Sequence, residues 1–222
     1  MNTQVINFYT KKQASEITGS VTQTSKMPCK SYSLPTEACI TGAKLAEKKG
    51  SICNSCYANK GFYKMYAKTI KPLQNKRLAS IDHPEWVNAM VSLIGKDQYF
   101  RWHDSGDLQS VNHLQKIVMV ADRLPKTLFW LPTREYGIVK EYVSLYGALP
   151  SNLIVRLSAY FPDQPVIIPK SLQGYNNILA SNVHSKNEPI GQACIAPKQG
   201  GECRDCRACW DSTVKTVSYG LH

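Results

Sequence analysis

No uninterrupted apolar stretch in the 222 residues approaches the roughly 20 needed to cross a bilayer as a helix, which excludes that class of membrane protein. The opening residues, MNTQVINFYTKKQ, lack the apolar run and small-residue cleavage site of a secretory signal, so the expected location is the cytoplasm. Internal repeats, low-complexity tracts and Gly/Ser linkers are missing too. This argues against a modular array and for a single domain over residues 1–222. Acid is scarce: 16 Asp and Glu stand against 27 Lys and Arg, a formal net charge of +11. Such an excess suits an anionic partner such as nucleic acid, a nucleotide or phosphate, but charge alone does not choose among them. With 43% apolar and only 19% charged residues, the chain is too apolar for a disordered polyelectrolyte.

What is present in the middle of the chain is an alternation of strand and helix patterns. Gln98 to Asp104 reads as a strand. Ser110 then caps a helical periodicity through Val111, Leu114, Ile117, Val118, Ala121 and Leu124, ended by Pro125. Thr127 to Pro132 is a second strand, Ile138 to Leu145 a short helix closed by Gly147, and Leu153 to Leu157 a third strand. Upstream, Asp82 and Pro84 open a helix that carries Trp86, Met90, Leu93 and Ile94 on one face and ends at Gly95. Ser31 to Leu34 is an earlier strand, and Tyr57 to Ser80 a long basic helical stretch bent at Pro72. Val166–Ile168, Ile178–Val183 and Val214–Tyr219 are further strand candidates. Apolar strands alternating with helices predict a parallel α/β sheet. A small or incomplete (β/α) TIM-like barrel over about residues 27–185 is the first expectation, followed by a Cys-rich segment and last strand over about residues 190–222. An open doubly wound sheet is the second.

Eight cysteines in a reducing compartment read as metal or cluster ligands before disulfides. They form two groups. Cys203-x-x-Cys206-x-x-Cys209 resembles a ferredoxin-type wrap around a cubane cluster, and Cys194 supplies a fourth ligand for a [4Fe-4S] site. Zinc and free redox-active thiols are the alternatives. In the first group, Cys53-x-x-Cys56 lies on a loop expected to enter a helix. Cys29 and Cys39 straddle the Ser31–Leu34 strand, which separates them by about 20 Å or more at about 3.3 Å per residue. Cys39, Cys53 and Cys56 are therefore taken as a three-thiolate set that leaves one iron open, and Cys29 is left unassigned; a zinc site using all four is the alternative.

Polar residues gather where the predicted strands end. His103, Asp104, Ser105 and Asp107 follow one, Arg134 and Glu135 the next, and Ser158 and Tyr160 the one after. A barrel places such residues around one mouth, where Arg134 can hold a carboxylate or phosphate and His103 can serve as acid, base or hydrogen-bond donor. Helix capping by Asp104, Ser105 or Asp107, a surface ion pair of Arg134 with Glu135 and a satisfied core role for His103 account for any one of them, but less readily for the set. Lys60, Lys64, Lys68, Lys71, Lys76 and Arg77, interleaved with Phe62, Tyr63 and Tyr66, offer a second candidate surface, for nucleic acid or simply for solvent.

The words KMPCKSYSLP, CNSCYANKGFY, FRWHDSGDLQS, WLPTREY, RLSAYF and CIAPKQGGECRDCRACW, together spanning nearly the whole chain, resemble the phage gene-eighty-eight protein family. The resemblance implies a phage-encoded iron–sulfur protein, cytoplasmic in the infected bacterial host, with a reduced barrel like that of radical S-adenosylmethionine enzymes. Those enzymes hold a cluster through three Cys after the first strand, where Cys39, Cys53 and Cys56 stand here, although the x13-x2 spacing departs from their x3-x2. Their Gly-Gly-Glu word, which binds the methionine amino group, is similar to Ser105-Gly106-Asp107. This implies one or two [4Fe-4S] clusters, with S-adenosylmethionine as a candidate ligand and an electron donor as partner if the protein is redox-active. Asp107 and Arg134 would then anchor the ligand, with Glu135 and Ser158 beside them. A cluster-containing nucleic-acid-binding protein without turnover and a two-zinc DNA-binding protein are the other readings.

Overall fold

A computed structural model describes residues 8–221, apart from the side chain of Phe62. The N-terminal residues read above for a signal lie partly outside the described residues. The helices are α1 (Lys11–Thr18), α2 (Ile40–Ala46), α3 (Gly61–Met65), α4 (Ala67–Ser80), α5 (Trp86–Ile94), α6 (Val111–Arg123) and α7 (Tyr136–Tyr146). The strands are β1 (Thr22–Gln23), β2 (Lys30–Tyr32), β3 (Tyr99–Trp102), β4 (Leu128–Thr133), β5 (Leu153–Ser158), β6 (Ile178–His184), β7 (Gln192–Ala193) and β8 (Thr216–Gly220). They form one mixed α/β sheet in the order β1-β2-β3-β4-β5-β6-β8-β7, parallel except for β1 against β2. From β2 to β6 the order is sequential, without the reversal of a doubly wound sheet. The sheet is open, since β1 and β7 stand at opposite ends of the order. Among the described residues no helix is long and apolar enough to cross a membrane.

Local chemistry explains most of the boundaries. The Ser110 hydroxyl accepts from His113 N–H and starts α6, and Gly147 ends α7 at φ 82°. Two expectations need correction. Val166–Ile168 is not a strand: Pro165 and Pro169 flank it and remove backbone donors, leaving Ile167 82% exposed. The basic stretch after Tyr57 is three pieces rather than one helix, and it breaks at Tyr66 (φ −101°, ψ 20°), while Pro72 sits inside α4.

The two faces of the sheet carry different layers. Tyr32, Phe100, Trp102, Phe129, Leu131 and Val155 pack with α5, α6 and α7 into the main core. Trp86 stacks on Trp102 at 5.8 Å, and Tyr32 meets both edge-on. The alternate residues face the other way, where Trp130 and Val217 pack with Cys29, Ala208, Cys209 and Trp210. Arg156, in the middle of β5 and wholly buried, holds this second layer down. Its guanidinium donates to the carbonyls of Cys209 (3.0 Å), Ala180 (3.2 Å), Val214 (3.0 Å), Ala208 (2.7 Å) and Asp211 (2.9 Å). Trp210 Nε1 adds a bond to the Phe100 carbonyl at 3.0 Å.

Candidate metal centres and the mouth of the sheet

The chain after β2 crosses the carboxyl ends of its neighbours, and this brings three thiols there. Cys39 begins α2, and the next turn is docked by Glu135 at the end of β4. The Glu135 carboxylate accepts from Thr41 N–H and from the Thr41 hydroxyl, both at 2.7 Å. Beyond α2, Ile52 N–H donates to the Tyr160 carbonyl past the end of β5 (3.0 Å), and Tyr57 OH donates to the Asp104 carbonyl past β3. Between these anchors Cys53–Ser55 is a short 3₁₀ turn closed by Cys56 N–H on Cys53 O (3.2 Å). The expected dipole of a helix following Cys56 is not available, because the α-helix that a thiol caps is α2, at Cys39.

Gly42 marks how close these thiols approach. A Cβ placed there would lie 3.5 Å from Cys39 Sγ and 3.7 Å from Cys53 Sγ, so the two sulfurs are separated by no more than those distances laid end to end. Burial pushes the Cys39 thiol up to about 12, and Asp107, Cys56, Cys53 and Glu135 push the same way. Burial also raises Cys53, opposed by the Arg134 guanidinium. Cys39, Cys53, Cys56, Asp107, Arg134 and Glu135 therefore share one electrostatic neighbourhood at the mouth.

Asp107 is nearly enclosed. Its carboxylate accepts from Leu108 N–H (2.8 Å), Thr133 OH (2.6 Å) and Arg134 N–H (2.9 Å). Burial lifts it to about 6 against those bonds. Arg134 Nε donates to the Ala159 carbonyl at 3.0 Å, and its Nη groups have no hydrogen bond among the described residues.

The other predicted residues are committed elsewhere. Ser105 OH donates to the Leu34 carbonyl (2.9 Å) and accepts from Gln74 (2.7 Å). Gly106, at φ 76°, lets β3's extension touch β2's: a Cβ there would sit 2.5 Å from Leu34 Cβ and 2.8 Å from Leu34 O. Ser158 is within 3.1 Å of the Ser181 hydroxyl in the sheet. His103 has φ 58° and turns towards the helix layer, 5.2 Å from the His113 ring, its Nδ1 3.2 Å from Tyr32 O. Burial pulls it down to about 4, so it is a neutral imidazole of the core, its Nε2 buried without a hydrogen-bond partner. The basic surface is smaller than expected. Arg77 is fully buried and holds Gly19 O, Ser20 O, Ser33 Oγ and Thr22 Oγ1, while Tyr63 OH donates to Asp104. Phe62 lies outside the described side chains. Lys60, Lys64, Lys68 and Lys76 are exposed, and Lys71 pairs with Glu37.

The second thiol group gathers behind the sheet. Cys206 N–H closes a turn on Cys203 O (2.9 Å), and Cys194 N–H donates to Ser218 O (2.7 Å). The charge of Cys206 acts on Cys194, that of Cys194 on Cys203 and Cys209, and that of Cys203 on Cys29. Cys29 thus sits with the C-terminal thiols. Sequence reasoning missed this, and it missed Arg101 and Arg156; the available signal was an arginine inside each of two apolar strands, FRW and IVRL. All eight thiols are free. Among the described residues no three His, Cys, Asp or Glu side chains form a ready site for a single metal ion.

The family model described as Gene product 88 matches residues 5–212, and the chain belongs to that family. No curated protein and no solved structure matches it.

Proposed function

We propose that this gene product 88 protein is an iron–sulfur protein with an incomplete (β/α) barrel of radical-enzyme type, acting by one-electron chemistry at the mouth of the sheet. The observation that carries the reading is the convergence of Cys39, Cys53 and Cys56 with Asp107 and Arg134 over the carboxyl ends of β3, β4 and β5. The sequential strand order and the helix layer on one face support the barrel type. The donor set fits a cluster: the three thiols are free and half-buried, and burial makes Cys39 and Cys53 costly to ionise alone, so those two need a strong positive partner to become thiolates.

Cys39, Cys53 and Cys56 would hold a [4Fe-4S] cluster with one iron open, and the C-terminal thiols a second. When bound, the first cluster supplies single electrons to a ligand beside it. The protein's own groups bind and orient that ligand. Three protein donors leave the Asp107 carboxylate about one acceptor direction for an ammonium. The free Nη fork of Arg134 suits a carboxylate or phosphate. Glu135 acts by positioning, since both its oxygens hold Thr41 and thereby the turn that carries Cys39. An amino-acid-bearing nucleoside such as S-adenosylmethionine presents both complementary groups.

The test is anaerobic purification with iron and acid-labile sulfide counts, followed by reduction with dithionite in the presence of S-adenosylmethionine. Expected are both elements, broad absorbance of thiolate-ligated iron, and release of methionine that Cys56→Ala abolishes and Cys206→Ala does not. Protein that is colourless and carries stoichiometric zinc overturns the reading. A second reading, an iron–sulfur nucleic-acid-binding protein without turnover, draws on exposed Lys60, Lys64, Lys68 and Lys76 beside the first thiol group. Salt-sensitive oligonucleotide binding without methionine release would favour it.

A further inference from the structure

A row of polar side chains crosses three strands on the face of the sheet away from the main helix layer. Ser31, Arg101 and Trp130 are register partners on β2, β3 and β4. Ser31 Oγ, Arg101 Nε and Trp130 Nε1 are each buried without a hydrogen-bond partner. Ser31 is wholly buried and Trp130 only 5% exposed. Unmet donors at this depth are costly, so three in one row point to an acceptor that belongs there. The row lies against the C-terminal thiols. Trp130 packs in the cluster that contains Cys29 and Cys209, and the Arg101 guanidinium lies 4.3 Å over the Trp130 ring. Arg101 Nη1 reaches Met27 Sδ at 3.3 Å, two residues before Cys29. Cys203 is tied to the same segment by its N–H on the Lys26 carbonyl, at 2.8 Å. No carboxylate forms an ion pair with Arg101 among the described residues, although Tyr57 and Asp104 lie near enough to act on its charge.

Resting on the iron–sulfur reading, we infer that Cys29 is a ligand of the C-terminal cluster and that Ser31, Arg101 and Trp130 donate to its sulfur atoms. The site is then built from the start of β2 together with the segment around Cys203, and Arg101 is its counter-charge. A four-iron cluster with four thiolates carries about −2, of which the guanidinium offsets one unit, while the two neutral donors stabilise the charge on sulfur by hydrogen bonding. Five thiols surround a cluster that needs four, and Cys209 is the one with another partner, its sulfur 3.3 Å from Tyr219 OH.

The experiment uses the full chain, purified anaerobically, with iron and sulfide counted and both cluster spectra recorded by electron paramagnetic resonance after reduction. Cys29→Ser is expected to lose about half of the iron and sulfide and one of the two spectra, while Cys209→Ser keeps both. Cys29→Ser with wild-type iron, sulfide and spectra overturns the ligand assignment. Should Cys29→Ser fail to fold, Trp130→Phe decides: it keeps the packing, and one cluster's reduction potential should fall with the other unchanged. Unchanged potentials for both clusters overturn the donor role. Wild-type protein without iron would instead sink the iron–sulfur reading itself, a separate result.

Discussion

Replacing Arg156 with Met should release the C-terminal thiol segment while leaving the helix-covered core folded. The side chain is buried and spends its donors on five carbonyls, four of them between Ala208 and Val214. Met fills a similar volume but donates nothing. A hydrogen bond from a charged group contributes about 1.5–3 kcal/mol net, but bonds from one guanidinium do not add independently. A buried carbonyl left without its donor costs about 1–3 kcal/mol, so several together are a large fraction of the roughly 5–15 kcal/mol that holds a domain together. Because the orphaned carbonyls cluster in one segment, most of that cost should appear as local opening. Hydrogen exchange is the direct assay: amides of residues 208–220 should lose protection, with those of β3, β4, α5 and α6 unchanged. Arg156→Lys should fall between, since an ammonium has three donors rather than five. If Arg156→Met keeps wild-type protection over residues 208–214 and a wild-type urea midpoint, the clamp has been misread.

Gly42→Ala would place a Cβ 2.9 Å from Cys39 Cβ and beside both sulfurs, and on the iron–sulfur reading should lower iron occupancy of the first thiol group, by metal analysis, at little cost in thermal stability. Gly106→Ala combines a left-handed backbone with a contact onto Leu34, and should destabilise by about 2–4 kcal/mol in urea unfolding. Acid should weaken the fold. His103 at about 4 and His113, also depressed by burial, stay neutral when folded but take up protons when unfolded, so stability is full above about pH 6.5 and declines towards pH 4, by about 3 kcal/mol for His103. Asp107, raised to about 6, works oppositely, being favoured at low pH and losing that contribution as pH rises through 6. Asp107→Asn should therefore steepen the decline in urea midpoints between pH 6.5 and 4, and a flatter curve would contradict both assignments.

The strand and helix alternation from β3 to β5 was legible because apolar period, the Ser110 cap and Gly147 all agree on its boundaries. α1 was not: only Ala14 and Thr18 of its eight residues are buried, which leaves no apolar stripe to read. Side-chain direction at strand ends was harder still. Trp102 faces the helices, so simple alternation sends His103 to the opposite side, but its left-handed φ returns it to the same layer as His113. Lysine spacing in α4 likewise did not distinguish Arg77, which points inward because Gly19, Ser20 and Ser33 offer carbonyl and hydroxyl acceptors there. The placement of Cys29 among the distant C-terminal thiols depends on the Lys26–Cys203 contact, which no local pattern encodes.

That contact also sets an order of events during synthesis. The loop bearing Cys39, Cys53 and Cys56 finds its last anchor at Tyr160, so its pocket is structurally complete once β5 and the residues just after it have emerged from the ribosome. Cys29, by contrast, lacks the Lys26–Cys203 contact until Cys203 has emerged, well after β6. A nascent chain thus carries one finished thiol pocket and one open half-site while everything from β6 to the C-terminal thiols is still being made. On the iron–sulfur reading, the rear site would therefore load only after the segment around Cys203 has emerged, even where the front site is filled earlier.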